Sequence, residues 1–222
     1  MIPAIIITMP RSGSQMLCRA LSQNPGIVIK PWPWDNDDNP IAQAARFYME
    51  GSKGCRALIT HHNWGDEWAK RHCQVSIDEM WGRLREMTNR RAILLRRDNY
   101  LRRYLSIKVT EKLGISVDAP RRMQVKIDFI PEEFMTRMAH SYKCWRRVMS
   151  IFPDAKVLTY RDLCDDWHNA IWSSQAHLGL RPMSIKQMTY RQETRMVADI
   201  VSNYREMERF FQTEIGWQEW IR

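Results

Sequence analysis

The start of the chain constrains the fold most, because an apolar strand runs into a tight loop and then a helix. Residues Ala4–Thr8 (AIIIT) are a β-branched run that stops before Pro10, which predicts a buried strand. Apolar residues then recur at helical spacing over Gly13–Gln23, and Asn24–Gly26 is a stop signal. A strand, a tight loop and a helix in this order predict the first half of a parallel βαβ unit.

The same alternation continues along the chain. Further strands are predicted at Ile27–Ile29, Cys55–Thr60, Ala92–Leu95 and Ala155–Thr159. Helices are predicted at Ile41–Glu50, Ile77–Met87, Asn99–Leu113, Pro131–Ile151, Tyr160–Leu178 and Glu193–Phe211. Strands that alternate with helices predict an α/β fold, here a single domain over residues 1–222 with a central parallel sheet flanked by helices. Ligands of such sheets bind at the carboxyl ends of the strands.

The loop Pro10–Ser14 (PRSGS) lies at one such end and is predicted to bind an anion. Backbone N–H groups and the positive end of the helix point at a ligand there. Gly13 permits close backbone approach, Ser12 and Ser14 add hydroxyl donors, and Arg11 adds a fixed positive charge. A P-loop kinase or ATPase would show GxxxxGK(S/T), so the absence of a lysine disfavours ATP chemistry. Taken alone, the loop also fits an ordinary capped turn.

Composition limits the partners and the compartment. The net charge of +9 suits an anionic partner, and the basic residues form no tail, which disfavours nucleic acid. The five cysteines form no CxxC pair, which is typical of a reduced, cytoplasmic protein. His140 and Cys144 lack a second pair of ligands for zinc. The apolar stretch at the start has about seven residues, whereas a membrane span needs roughly 20, so no span is predicted.

The segment IIITMPRSGSQMLCRALSQNPGI resembles the 5′-phosphosulfate loop of the PAPS-dependent sulfotransferases, especially bacterial-type and viral-type members. PAPS is 3′-phosphoadenosine-5′-phosphosulfate, and PAP is its desulfated product. The resemblance runs from residue 2 to about 213 and implies the P-loop NTPase-like sulfotransferase fold, with PAPS as donor, PAP as product and no metal. It assigns the donor-binding loop to Arg11, Ser12, Gly13, Ser14, Gln15 and Met16. Gln15 stands where the family usually has threonine.

A second family signature, which holds the 3′-phosphate, resembles the segment Ala92–Ser106. Its arginine and serine correspond to Arg97 and Ser106, although Arg96 is an alternative for the arginine. By itself this arginine-rich segment also fits a solvated helix face. Arg191, in a late segment that resembles the family, is a further candidate near the nucleotide.

The resemblance implies in-line sulfuryl transfer, with Arg11 stabilising the charge on the leaving phosphate. A base must take the proton of the acceptor, and family members use a glutamate or a histidine. The glutamate is absent here, and Asp35 is the nearest carboxylate. His61 and His62 follow a predicted strand, and an unperturbed histidine suits base chemistry. His61 is the first choice and Asp35 the second, and each also fits an ordinary surface or strand-end role.

The sequence therefore predicts a sulfotransferase that acts on a hydroxyl or amine of a small molecule or carbohydrate. The alternatives are a P-loop phosphoryl transferase or kinase, and a non-catalytic protein that binds PAP or nucleic acid. Trp32, Trp34 and Trp64 are candidate stacking platforms for the acceptor.

Overall fold

A computed structural model describes residues 2–32, 39–50, 54–62, 66–114, 125–187 and 196–215, without the side chains of residues 214 and 215. Five strands in this part of the chain form one parallel sheet in the order β2-β3-β1-β4-β5. The strands are β1 Ile2–Thr8, β2 Ile27–Pro31, β3 Cys55–His61, β4 Ala92–Arg96 and β5 Lys156–Thr159. The predicted α/β fold with a parallel central sheet is confirmed.

Ten α-helices accompany the sheet within the described residues. They are α1 Ser14–Leu21, α2 Pro40–Met49, α3 Asp66–Cys73, α4 Ile77–Met87, α5 Tyr100–Leu113, α6 Pro131–Ile151, α7 Tyr160–Asp165, α8 Trp167–His177, α9 Val197–Ile200 and α10 Tyr204–Phe210. A π-helical turn, Phe211–Ile215, continues α10. Packing divides the chain into two compact units, residues 1–96 with 141–190, and residues 97–140 with 191–222. One domain over residues 1–222 stays a prediction.

The first unit has its core on both faces of the sheet, because side chains alternate along each strand. Ala4 and Ile6 of β1 are fully buried in a cluster that includes Leu17 of α1 and Ile171 of α8. Residues at the intervening positions point to the opposite face, where α2 packs. There the guanidinium carbon of Arg56 lies 4.2 Å from the centre of the Phe47 ring. Helices therefore cover the sheet on both faces, which buries the continuous apolar run of β1.

The second unit has a separate aromatic core. Its rings lie 5.4–5.8 Å apart between centroids and come from Tyr104, Phe129, Phe134, Phe210 and Phe211. A short parallel bridge pairs Ile127 with Val201. On the surface Lys108 Nζ lies 3.0 Å from the carboxylate of Glu133. The aromatic packing thus ties the chain after α5 to α10.

Two predicted helices are divided in the structure, and one helix of the structure was not predicted. The helix predicted at Tyr160–Leu178 is two helices, because Asp166 leaves the helical region with φ −137° and ψ 54°. In the described part of Glu193–Phe211, the pairing of Val201 with Ile127 separates α9 from α10. Helix α3 was not predicted, and it buries Ala69 and Cys73.

Candidate active site

The loop between β1 and α1 is a tight turn that contains two left-handed backbone conformations. Arg11 and Gly13 both have left-handed conformations, with φ of 63° and 91°. The backbone N–H of Ser12 donates to the carbonyl of Met9 at 3.2 Å, which closes the turn. A β-carbon on Gly13 would lie 2.9 Å from Cδ2 of Tyr160, so this position needs glycine for space as well as for φ.

The start of α1 presents backbone donors. The first intrahelical bond runs from Leu17 N–H to the Gly13 carbonyl at 3.0 Å, and the side chain at the N-cap position makes no capping bond, because that residue is glycine. The N–H groups of Ser14, Gln15 and Met16 precede that bond, so helix geometry gives them no acceptor within α1. The first turn of α1 holds no acidic residue. This end of the helix is therefore positive and suited to an anion.

The side chains of the predicted loop residues differ in what they offer a ligand. The Ser12 side chain is fully buried, and its hydroxyl donates to the Met9 carbonyl at 2.6 Å. This hydrogen bond uses the hydroxyl proton of Ser12 and stabilises the conformation of the loop. Ser14 and Gln15 are partly exposed at the start of α1, whereas the Met16 side chain is buried, so Met16 can offer a ligand only its backbone N–H.

The two strand-end histidines lie on opposite faces of the sheet. In the parallel register Thr8 lies opposite His61, and the alternation from Ala57 places His61 on the face that α1 covers. The Thr8 hydroxyl oxygen is 3.0 Å from His61 Nδ1, and the His61 side chain is exposed. His62 is only 1% exposed, and its Nε2 lies 3.0 Å from the Ser141 hydroxyl of α6. Of this pair, His61 is the one on the side of the anion-binding loop.

The predicted 3′-phosphate residues lie at the start of the second unit. Arg97 directly follows β4 and precedes α5, whose N-cap Asn99 accepts the Arg102 N–H at 2.8 Å. Ser106 is partly buried in the second turn of α5. Arg97 lies before the helix that carries Ser106. In the same helix, burial lowers the pKa of Arg103, which is 8% exposed.

Some predicted residues lie outside the part of the chain that the structure describes. These are Asp35, Arg191, Trp34 and Trp64. Trp32 is described, and it is not a stacking platform. It is 2% exposed, and its indole N–H donates to the Pro40 carbonyl at 2.8 Å, so it anchors the chain before α2. No pattern in the sequence separates this buried tryptophan from an exposed one.

Burial affects the reactivity of two described cysteines. Burial raises the pKa of the Cys18 thiol to about 12 and that of Cys55 to about 11, which keeps both protonated at neutral pH. Across the described residues, no three His, Cys, Asp or Glu side chains gather into a group that could hold a metal ion. No described helix combines the length and apolar character that crossing a membrane requires.

Comparisons with known proteins identify a family and a fold. The model of the Sulfotransferase family matches residues 3–219. A sulfotransferase from Alicyclobacillus acidocaldarius is similar in structure with a TM-score of 0.51 at 14% identity, over 96% of this chain and 92% of that one. The mouse sulfotransferase SULT7A1, solved in complex with PAP, has a TM-score of 0.52 at 14% identity, over 82% of this chain and 60% of its own. These structures show a shared fold. No curated protein matches in sequence.

Proposed function

The chain belongs to the sulfotransferase family, and on that premise we propose that it transfers the sulfuryl group of PAPS to a hydroxyl or amine of an acceptor. One observation carries the proposal. A left-handed Gly13, two residues after Arg11, connects the end of a central strand to the uncapped start of α1. This arrangement suits the 5′-phosphosulfate group, which is anionic and needs donors on several oxygens.

In this proposal the loop stabilises the leaving group. Negative charge builds on the 5′-phosphate as the sulfur–oxygen bond breaks. The N–H groups of Ser14, Gln15 and Met16 and the guanidinium of Arg11 oppose that charge without needing to reorganise. Ser12 keeps the loop in shape through its bond to Met9.

The remaining steps balance around the acceptor. The acceptor oxygen or nitrogen forms a bond to sulfur, and the bond between sulfur and the 5′-phosphate oxygen breaks. PAP leaves with that electron pair, and the acceptor proton passes to a base. We assign the base to His61, because it ends β3 on the face that α1 covers. Asp35 remains the second candidate.

The nucleotide needs a second anion site for its 3′-phosphate. We assign it to Arg97 and Ser106, with Arg96 as the alternative arginine and Arg191 as a further cation. The PAP complex of the mouse relative supports PAPS as donor and PAP as product. The acceptor is proposed only by class, as a small molecule or a carbohydrate.

Thermal unfolding with added nucleotides tests the proposal. PAP at about 1 mM should raise the midpoint, because a ligand at 100 times its Kd adds about 2.7 kcal/mol to the free energy of unfolding. AMP and adenosine 5′-phosphosulfate, which lack the 3′-phosphate, should raise it less. Stabilisation by Mg-ATP with none by PAP would instead identify a phosphoryl transferase.

Transfer itself needs a separate assay. PAPS carrying sulfur-35 should label members of a panel of sugars, phenols and amines. Tight PAP binding with no label on any acceptor would point to the non-catalytic alternative. Salt-sensitive binding of random DNA in place of PAP would favour a nucleic-acid partner.

A further inference from the structure

Thr8 makes two polar contacts with one hydroxyl at the end of β1. Its Oγ1 donates to the Thr60 carbonyl at 3.2 Å and lies 3.0 Å from His61 Nδ1. Thr8 is fully buried, and Thr60 is almost so. A threonine hydroxyl has a single proton and two acceptor lone pairs, so it can donate to only one of these partners.

The carbonyl oxygen can only accept, whereas Nδ1 accepts or donates according to the tautomer. Both contacts are therefore hydrogen bonds at the same time only when the Thr8 hydroxyl donates to the carbonyl and Nδ1–H donates to the Thr8 oxygen. A neutral imidazole carries its proton on one nitrogen only. A hydrogen bond on one ring nitrogen therefore decides the state of the other.

We propose that Thr8 is a positioning residue that holds His61 in the Nδ1–H tautomer and so leaves Nε2 as the atom that accepts a proton. This inference rests on the proposed function, in which His61 takes the proton of the acceptor. The parallel register that sets Thr8 opposite His61 belongs to the centre of the sheet, so the two side chains are held by backbone pairing.

The placement also links the base to the anion-binding loop. Thr8 is the last residue of β1, and Met9, Pro10 and Arg11 follow at once. The Met9 N–H donates to the Leu95 carbonyl at 3.0 Å, and the His62 N–H donates to the Thr8 carbonyl at 3.0 Å. The strand end that carries Thr8 is therefore tied to both neighbouring strands, and it supports the tautomer of His61 and the start of the loop together.

Nitrogen-15 NMR of histidine-labelled protein with PAP tests the tautomer directly. The chain has 6 histidines, and the spectrum of His61→Gln assigns the signal. The wild type should show His61 protonated on Nδ1 when neutral. Thr8→Val keeps the β-branched shape and removes the hydroxyl, so its His61 should shift toward the Nε2–H form. Thr8→Ser should retain the wild-type signal.

Thr88→Val is the matched control. Thr88 is also fully buried, and its hydroxyl donates to the Leu84 carbonyl at 2.9 Å, but it lies at the end of α4. Thr88→Val should lower the free energy of unfolding, as Thr8→Val does, and should leave the NMR signal of His61 unchanged. If Thr8→Val does not fold, Thr8→Ser and the wild type still report the tautomer. An Nε2–H signal in the wild type, or an unchanged signal in folded Thr8→Val, overturns the inference.

Single-turnover rates separate this inference from the proposed function. Once an acceptor is known, Thr8→Val should slow transfer about 100-fold, within the range of general-base contributions, and keep the wild-type Kd for PAP. Thr8→Ser should recover most of the rate. The NMR result requires no transfer, so failure of PAP binding would refute the proposed function and leave the tautomer result standing. An Nδ1–H tautomer with no rate loss in Thr8→Val would refute the role in catalysis.

Discussion

The ring of Tyr160 lies directly against Gly13, so that a β-carbon on Gly13 would be 2.9 Å from Cδ2 of the ring. Tyr160 is the first residue of α7, and a capping box between Thr159 and Asp162 fixes this helix start. The ring of Tyr160 therefore packs against the backbone of the anion-binding loop, and the fixed start of α7 restricts its movement. This contact explains why the loop needs glycine beyond its positive φ.

Gly13→Ala should destabilise the protein and abolish the thermal shift caused by PAP. The left-handed φ costs roughly 1–2 kcal/mol for a residue with a β-carbon, and overpacking against Tyr160 adds about 1–3 kcal/mol. Urea unfolding measures the loss of stability, and thermal unfolding with PAP measures the loss of binding.

Two other glycines separate these costs. Gly114 has φ of 58°, and no atom of the described residues would lie within 4 Å of a β-carbon added there, so Gly114→Ala should carry the backbone cost alone. Gly82 lies inside α4 with the same open space and no positive φ, so Gly82→Ala should stabilise by about 0.5–1 kcal/mol. If Gly13→Ala and Gly114→Ala lower the free energy of unfolding equally, Tyr160 does not restrict the loop.

Arg11→Ala should weaken PAP binding about 10- to 100-fold. A hydrogen bond to a charged group contributes about 1.5–3 kcal/mol, and the guanidinium can present two parallel donors to a phosphate. Arg11→Lys keeps the charge and loses the planar fork, so its Kd should lie between those of the wild type and Arg11→Ala. Calorimetric titration with PAP gives the three values.

Arg19→Ala is the control for net charge. Arg19 is exposed in the last turn of α1, at the opposite end of the helix from the anion-binding loop that holds Arg11. Its removal should leave the Kd for PAP within about twofold, because exposed charges are screened by solvent and salt. An equal loss in both variants would mean that Arg11 acts only through overall charge.

Ser12→Ala and Ser14→Ala should separate loop shape from ligand contact. Ser12→Ala removes the bond to the Met9 carbonyl, so it should cost about 1 kcal/mol of stability and also weaken PAP binding. Ser14 is partly exposed, so Ser14→Ala should weaken PAP binding without moving the midpoint of the unliganded protein. A lower midpoint in Ser14→Ala alone would reverse these assignments.

The fold was predictable because β1 and its neighbours are buried on both faces and form continuous apolar runs between turn signals. The breaks inside the helices predicted at Tyr160–Leu178 and Glu193–Phe211 were not predictable. Asp166 interrupts a segment whose pattern stays helical, and Val201 leaves the helix to pair with Ile127, which is far away in sequence. Both depend on tertiary contacts that local pattern does not contain.

The candidate site was predictable where a motif fixes the backbone, as in the loop from Pro10 to Ser14. The choice between His61 and His62 was not decided by residue type, since both are histidines at a strand end. Strand register separates the two histidines, because one position of alternation moves a side chain to the other face. Trp32 shows the opposite case, in which an apparent loop residue is drawn into the core by its bond to Pro40.

His177 should make the protein less stable as the pH falls. Burial lowers its pKa below the ordinary value of 6.5, although the bond from Nε2–H to the Ala92 carbonyl at 2.9 Å opposes this shift. The unfolded chain therefore takes up a proton at a higher pH than the folded one, and the free energy of unfolding drops as the pH passes below about 6.5 toward the folded pKa.

His177→Gln removes this proton uptake, so its urea midpoint should change less between about pH 7.5 and pH 5 than that of the wild type. His168→Gln, at an exposed position of the same helix, should keep the wild-type dependence. If the urea midpoints of the wild type and His177→Gln change equally with pH, the His177 imidazole does not contribute to the loss of stability in acid.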